Sequence, residues 1–240
     1  MLILSLTRLD KLLADAGIAS RKELRAIIKA GRVTVNGKAV CVPEAKLAPE
    51  HDVVRLDGTV VKYSRFHYYM MDKPCGVLTA TEDRDQKTVL DLLTPEVKRI
   101  RPFPVGRLDK DTSGMLLLTD DGDFAHRVIS PKSNIKKLYH ARLEGVPDED
   151  DVRAFSEGIV LGDGTECLPA KLEISGKNEC FVTVMEGKYH QVRRMLASRG
   201  KTVTELRRVR IGSLDIDASL GPGGFRELEQ EEIDRIFLST

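Results

Sequence analysis

A charged turn that leads directly into an apolar segment is the feature that most constrains the fold of this chain. The turn spans residues 105–114, reads Val-Gly-Arg-Leu-Asp-Lys-Asp-Thr-Ser-Gly, and is followed by the apolar run Met115–Leu118. An apolar run of this length next to a turn predicts a buried strand. Charged side chains at the start of a buried strand stand on a rigid support, as a catalytic group requires.

Three interpretations of this turn compete. The first is an ordinary solvated loop that carries charges. The second is a calcium loop, because the EF-hand positions 1, 3, 5, 6 and 12 are occupied by Asp109, Asp111, Ser113, Gly114 and Asp120. The flanks oppose calcium, since two nearby prolines disfavour an entering helix and the last position is Asp rather than the bidentate Glu. The third is a catalytic carboxylate, which depends on support from elsewhere in the chain.

Four segments supply that support, because in order they resemble the motifs of the RNA pseudouridine synthases, most closely the RsuA-type branch. Gly106–Gly114 resembles the signature G-R-L-D-x-x-T-x-G. Met71–Gly76 resembles the upstream N-K-P-x-G motif, with Asp72 where Asn is usual. Lys137–Tyr139 resembles the K-x-Y element, and Glu186–Met195 with Glu205–Gly212 resembles the C-terminal motifs. The resemblance spans essentially the whole chain.

The resemblance implies a role for each matched residue. Asp109 is expected to be the essential catalytic carboxylate, Arg193 to pair with it, and Tyr139 to stack on the substrate base and take part in proton transfer at C5. The expected substrate-binding residues are Arg107, Leu206, Lys73, His190 and Gln191. Arg107 would hold the flipped nucleotide or fill the space that it vacates. Without the resemblance, Arg193 would be interpreted as a helix surface charge, and Tyr139 and Leu206 as packing residues.

Residues 1–60 are predicted to form a small RNA-binding domain. Thr7 predicts the cap of a first helix that ends near Gly17, and the pair Ser20 and Glu23 predicts a capping box for a second helix. Asn36-Gly37 predicts a type I′ hairpin. Two short helices and a hairpin with one basic face resemble the S4 domain, which implies RNA contacts; the alternative is a solvated helix face. The expected contact residues are Arg8, Ser20, Arg21, Lys22, Arg25, Lys29 and Arg32.

Residues 61–240 are predicted to form the catalytic domain, an α+β fold with a mainly antiparallel mixed sheet, joined through a linker around 57–66. Strands are predicted at 67–71, 115–119, 138–143, 170–174, 180–184, 203–206 and 211–214. Helices are predicted at 88–93, 123–129, 148–157, 190–198 and 229–237.

Composition restricts the class of protein. The net charge of +1 hides an asymmetry, because residues 1–62 carry 11 Lys or Arg against 7 Asp or Glu, whereas the remainder is mildly acidic. This favours a basic module that holds a polyanion. The four cysteines lack metal-ligand spacing, so we expect reduced thiols and no metal site. No apolar stretch approaches the ~20 residues of a membrane span, and Met1–Leu6 lacks the features of a signal peptide. We therefore expect a cytoplasmic protein with no membrane contact.

Pseudouridine formation is an isomerisation, so the expected enzyme needs no cofactor. The chain has no phosphate-binding loop, dinucleotide fingerprint or metal-protease motif. The expected partner is ribosomal RNA, as a pre-ribosomal particle or an rRNA fragment, bound by a monomer. Small-subunit (16S) rRNA is favoured over large-subunit (23S) rRNA, because no basic extension follows the acidic stretch Glu227–Glu232.

Two other functions compete with this prediction. A non-catalytic S4-domain ribosome-assembly factor would be expected to have lost Asp109 together with Tyr139 or Arg193, and all three are present. A glycosidic-bond hydrolase would usually need two carboxylates that flank the bond, and Asp109 and Asp111 lie on one turn. For the synthase, the residues leave three pathways open: nucleophilic attack at the sugar, attack at the uracil, or removal of the C2′ proton.

Overall fold

The computed structural model of the protein describes residues 6–49, 51–61 and 63–238. These residues form two compact units. The first comprises the chain up to His67 together with Leu93–Pro102, and the second comprises Tyr68–Leu92 with the chain from Phe103 onward. The domain boundary between residues 60 and 61 stays a prediction. Lys62 of the predicted linker and residues 1–5 of the N-terminal segment lie outside the described residues.

The first unit packs short helices and strands around a small leucine-rich core. Its elements are α1 Leu9–Asp15, α2 Arg21–Lys29 and α3 Pro95–Ile100, with β1 Thr7–Arg8, β2 Val33–Val35, β3 Lys38–Ala39, β4 Lys46–Leu47, β5 Val54–Leu56 and β6 Thr59–Val60. Leu9, Leu12 and Leu13 of α1 meet Leu24 and Ile28 of α2 in that core. Four strands form a sheet in the order β3-β2-β5-β6.

The predicted starts of the two helices have different outcomes. The capping box of α2 is confirmed, because Glu23 N donates to Ser20 Oγ at 3.4 Å and Ser20 N donates to Glu23 Oε2 at 2.9 Å. The predicted Thr7 cap is wrong. Thr7 lies in β1, which pairs with β4, and the first helical amides of α1 donate instead to backbone carbonyls, Leu9 N to Ala45 O and Asp10 N to Pro43 O. Tertiary hydrogen bonds thus replace the side-chain cap.

The hairpin prediction is confirmed. Asn36 and Gly37 have φ values of 50° and 79°, and they join β2 to β3. Positive φ at both central positions is what a type I′ turn requires. The Asn36 side chain adds two bonds, donating to Asp52 Oδ1 at 2.7 Å and accepting from Val53 N at 2.9 Å.

The second unit is built on a nine-stranded sheet. Its strands are β7 Tyr68–Lys73, β8 Phe103–Pro104, β9 Thr112–Thr119, β10 Lys137–Glu144, β11 Lys171–Gly176, β12 Glu179–Val184, β13 Thr202–Ile211, β14 Leu214–Asp215 and β15 Phe225–Glu227. Its helices are α4 Gly122–Ile129, α5 Glu149–Glu157, α6 Gln191–Ser198 and α7 Gln230–Ile236, with 3₁₀ turns at Val89–Leu92 and Pro131–Ser133. The main order is β11-β12-β10-β13-β9-β7-β15, with β8 on β9 and β14 on β13.

The predicted mixed, mainly antiparallel sheet is confirmed. Among the described strand pairs of this sheet, β9 and β13 run parallel and the others run antiparallel. The two parallel strands approach closely where Arg208 pairs with Gly114. A Cβ at Gly114, whose φ is 102°, would lie 2.2 Å from Arg208 O, so the end of the signature requires glycine.

Three details of the secondary structure differ from the sequence prediction. The strands predicted at 203–206 and 211–214 are one long strand, β13, followed by the short β14. The helix predicted at 88–93 is a 3₁₀ turn, and α3 was not predicted. In the described part of the chain, every helix is too short or too polar to cross a membrane.

Candidate active site

A cleft of about 1140 Å³ opens at one side of the second unit. Its walls come from the turn that carries Asp109, from residues 75–83, from residues 184–192, and from strands β10 and β13. Asp109, Arg107, Tyr139, Leu206, His190 and Gln191, six of the eight expected catalytic and substrate-binding residues of this unit, line it. The fold therefore brings together side chains that lie up to 99 residues apart in the sequence.

Lys73 lies beneath the turn rather than in the cleft. Its side chain is fully buried, and its ammonium donates to the carbonyls of Pro74 at 3.1 Å, Asp109 at 3.0 Å, Lys110 at 3.4 Å and Thr112 at 2.9 Å. Burial lowers the pKa of Lys73. Lys73 was expected to bind substrate, whereas these four bonds make it the support of the turn.

The turn is held from a second side by the segment after β7. Thr79 Oγ1 donates to Leu108 O at 2.6 Å and accepts from Leu108 N at 3.2 Å. Gly76 N donates to Lys110 O at 2.7 Å. With Lys73 below, these contacts fix the backbone on both sides of Asp109, and this rigid support is what a reacting carboxylate needs.

Asp109 points into the cleft with a side chain that is 31% exposed. Among the described residues, the basic side chain within 4 Å of its carboxylate is that of His190, whose Nε2 lies 3.5 Å from Asp109 Oδ1. His190 caps α6 in the left-handed conformation, with φ of 48°, and its ring stacks on Tyr189 at 4.0 Å between centroids.

Arg193 has a different partner from the one expected. Its Nη2 lies 3.0 Å from both the carbonyl and the Oδ2 of Asp111, and its Nη1 donates to Val203 O at 3.2 Å. The expected pair with Asp109 is therefore corrected to a pair with Asp111, because the carbonyls of Asp111 and Val203 anchor the guanidinium two residues further along the turn. Its Nε is buried without a partner in the described chain.

Gln191 shapes the wall of the cleft from inside the protein. It is 5% exposed, accepts from Lys188 N at 3.0 Å and donates to Glu186 Oε1 at 2.8 Å. Glu186 also pairs with Lys188 Nζ at 2.7 Å. These bonds close residues 186–191 into a tight turn before α6, so the geometry gives Gln191 a positioning role beside the substrate contact expected for it.

Tyr139 lies on β10 with its hydroxyl 3.5 Å from Arg208 Nη1. Arg208 is 5% exposed and donates through Nε to Met115 O at 2.8 Å, while its Nη2 is buried without a partner in the described chain. Burial, with the nearby Arg208 charge, lowers the pKa of Lys137 to about 8. Leu206 is 5% exposed and lines the cleft.

Two arginines of β13, Arg207 and Arg208, have structural roles that the sequence did not predict. Arg207 forms a two-bond ion pair with the buried Asp72, at 2.9 and 2.8 Å, which explains why a carboxylate is stable where the related motif has Asn. Arg208 faces the other side of the strand toward Tyr139. The Arg-Arg pair is visible in the sequence. The partner of each arginine is set by the order of the strands in the sheet, which the sequence alone does not reveal.

The predicted RNA-contact residues of the first unit differ in their surroundings. Arg8, Arg21, Lys22 and Arg25, with Asp10 and Lys11, line a groove of about 340 Å³, which we call the basic groove. Arg21, Lys22 and Lys29 form no ion pair with a described residue. Arg32 is bound to Asp57 at 2.5 and 3.0 Å, and the Ser20 hydroxyl serves the α2 cap.

Comparisons with known proteins identify the family of this chain. The RNA pseudouridylate synthase family matches residues 67–198, and the S4 domain family matches residues 7–54. The chain therefore belongs to the RNA pseudouridylate synthase family, and it is an RNA-binding isomerase.

Named relatives cover nearly the whole chain. An uncharacterized RNA pseudouridine synthase of Bacillus subtilis is 46% identical, over 94% of this chain and 96% of that protein. Ribosomal small subunit pseudouridine synthase A of Escherichia coli K12 is 40% identical, over 94% and 98%. A crystal structure of a pseudouridylate synthase aligns with a TM-score of 0.68 at 34% identity, over 95% of this chain and 99% of that one.

Proposed function

We propose that the protein converts one uridine of small-subunit rRNA to pseudouridine, with Asp109 as the catalytic carboxylate. The observation that carries the proposal is the setting of Asp109: a partly exposed carboxylate on a turn fixed from below by the buried Lys73 ammonium. The relatives named as small subunit synthases support the choice of RNA. The working protein is proposed to be a cytoplasmic monomer that acts on a pre-ribosomal particle or an rRNA fragment.

Substrate enters the cleft as a flipped nucleotide. The reacting atoms of a stacked uridine are inaccessible, so the base must leave its helix. Tyr139 and Leu206 both line the cleft and offer an aromatic and an aliphatic surface to the uracil. Arg107 is exposed on the rim and forms no ion pair with a described residue. Its guanidinium is therefore available for a phosphate next to the flipped nucleotide.

The reaction requires one bond to break and another to form. The N1–C1′ bond breaks, the uracil turns, and C5 bonds to C1′; the C5 proton leaves and N1 gains a proton, so atoms and charge balance. Asp109 either bonds covalently to the nucleotide or takes the C2′ proton while the uracil leaves. In both routes, the carboxylate must reach the sugar or base, and the pairing of Arg193 with Asp111 leaves it free of that guanidinium. Tyr139 is proposed to accept the C5 proton.

Affinity for RNA is proposed to come chiefly from the first unit. Arg21 and Lys22 of the basic groove are exposed and form no ion pair with a described residue, so each can neutralise a phosphate without breaking an existing contact. Contacts of this kind hold RNA without reading its sequence, so selection of the uridine is left to the cleft.

Mapping pseudouridines in ribosomal RNA tests the proposal. Ribosomal RNA from a strain that lacks the gene is compared with RNA from the same strain complemented by the parent protein or by Asp109→Asn. We expect one small-subunit position to lose its pseudouridine, and only the parent gene to restore it. Loss at a large-subunit position would overturn the choice of RNA, and restoration by Asp109→Asn would overturn the role of Asp109.

A further inference from the structure

The most exposed large hydrophobic side chain in the described part of the chain lies on the rim of the cleft. Tyr189 is 76% exposed, and its ring is nearly parallel to that of His190, with centroids 4.0 Å apart and an interplanar angle of 16°. One face of the Tyr189 ring therefore contacts His190, and the opposite face is open to solvent. An aromatic ring that is supported on one face and open on the other is suited to stack on a further planar group.

The backbone holds this pair in place. Gln191 N donates to Lys188 O at 3.1 Å, and Arg194 N donates to His190 O at 2.9 Å. Arg194 also reaches Tyr189 O through Nη1 at 3.5 Å. The exposure of Tyr189 is therefore built into the turn before α6, since residues on both sides of it are tied to the helix.

The pair begins beside the proposed catalytic carboxylate. His190 Nε2 lies 3.5 Å from Asp109 Oδ1, and Tyr189 lies one ring layer beyond His190. Neighbouring nucleotides of a stacked strand are about 3.4 Å apart, and a flipped nucleotide stays joined to its neighbours through the backbone. When a uridine occupies the cleft at Asp109, the nucleotide next to it in the RNA is thus brought to the level of the rim where the open face of Tyr189 lies.

We propose that Tyr189, supported by His190, stacks on the nucleobase adjacent to the target uridine and so requires that base to be unpaired. The inference rests on the proposed function and adds a second nucleotide to the recognised substrate. Every base has a π-face, so stacking tolerates sequence changes at this position. What it selects is a neighbouring base that has left its duplex, which is a structural signal for a loop or a partly assembled RNA.

Binding measurements with abasic substrates test this assignment. The substrate is a fragment of the small-subunit rRNA around the mapped uridine, prepared intact, with an abasic 5′ neighbour, or with an abasic 3′ neighbour. On intact RNA, we expect Tyr189→Ala to raise Kd by ~10-fold, the order found for loss of one base–aromatic stack. On one of the two abasic fragments, Tyr189→Ala and the parent should bind equally, because the stack is already lost.

Two variants serve as controls. Tyr189→Phe keeps the ring and should restore most of the affinity for intact RNA. Val160→Ala trims another exposed side chain, 66% exposed and outside the cleft, and should leave both Kd and turnover at the parent values. An unchanged Kd for Tyr189→Ala, or the same loss on all three fragments, would overturn the stacking role.

The outcome also separates this inference from the proposed function. A parent protein that isomerises the intact fragment, together with a Tyr189→Ala variant that behaves like it, refutes the stacking role alone. A parent protein that leaves every fragment unmodified refutes the proposed function, and the stacking role falls with it. Replacement of the adjacent nucleobase by 2-aminopurine gives a direct readout. Stacking on Tyr189 should quench the fluorescence of 2-aminopurine, and Tyr189→Ala should relieve that quenching.

Discussion

Two cations of the basic groove and the cations around the cleft use positive charge in opposite ways, although Arg8 and Arg25 of the groove pair with acidic neighbours. In the groove, Arg21 and Lys22 are exposed and form no ion pair with a described residue. In and under the cleft, Lys73 and Arg208 are buried and donate to backbone carbonyls, and Arg193 is bound to Asp111. Free cations suit a surface that attracts phosphates. Cations committed to backbone contacts hold the turn of a reacting carboxylate without pairing with that carboxylate.

The largest expected effect is that of the negative charge on Asp109, which should be needed for turnover but not for RNA binding. Asp109→Asn keeps the side-chain volume but removes the negative charge and the basicity, so we expect isomerisation to fall by more than ~10³-fold, or about 4 kcal/mol of transition-state stabilisation. RNA affinity should stay close to that of the parent. Single-turnover rates and binding on the same preparation measure both, and a loss of less than about tenfold would contradict the assignment.

A second prediction concerns the cation under the turn. Lys73→Met leaves four carbonyl groups without their buried donor, so we expect the free energy of unfolding to fall by about 3 kcal/mol and turnover to fall with it. Urea unfolding measures the stability. Lys110→Met is the matched control, because Lys110 is exposed and its ammonium, among the described residues, donates only to Gln86; it should change stability by less than about 0.5 kcal/mol. Equal effects of the two changes would remove Lys73 from its supporting role.

A third prediction follows from Lys137. Burial lowers its pKa from 10.5 to about 8, so between those pH values the folded protein is deprotonated there while the unfolded chain still holds the proton. The unfolded state then binds more protons, and stability contributed by this site rises with pH. Below pH 8, the buried charge destabilises the fold by about 3 kcal/mol.

Lys137→Met should therefore be more stable than the parent at pH 7, with the difference disappearing as the pH approaches 10.5. Thermal or urea unfolding at several pH values measures it. Lys171→Met, at an exposed position paired with Glu173, should lack this pH-dependent gain. A parent-minus-variant difference that stays constant from pH 7 to 10.5 would mean that Lys137 titrates alike in the folded and unfolded chain.

The smallest expected effect lies in the groove. Replacing Arg21 and Lys22 with Gln should weaken RNA binding at every sequence and flatten the slope of log K against log salt concentration by about 0.7 per lost phosphate contact with single-stranded RNA. Arg32→Gln is the comparison variant, since Arg32 is already bound to Asp57, and its slope change should be smaller. An unchanged slope for the double variant would identify a merely solvated face.

The sequence predicted the structural features that depend on a few neighbouring residues. The hairpin at Asn36-Gly37 and the α2 capping box were predicted because each lies within a few residues of chain. The catalytic candidates came from motif resemblance, and six of them line one cleft. The partner of Arg193, the burial of Lys73 and the ion pair of Asp72 with Arg207 were not predicted. Each depends on which strand lies beside which, and that is set by contacts between distant segments.

The parallel contact of β9 with β13 has a consequence for synthesis of the protein. Thr112 pairs with Leu206, 94 residues further along the chain, so the wall opposite the Asp109 turn is made late. At roughly 5–20 residues per second of translation, the turn waits several seconds or longer for its neighbour strand. The nascent chain can thus fold its first unit while its cleft is still incomplete, and catalytic competence arrives only as the last strands leave the ribosome.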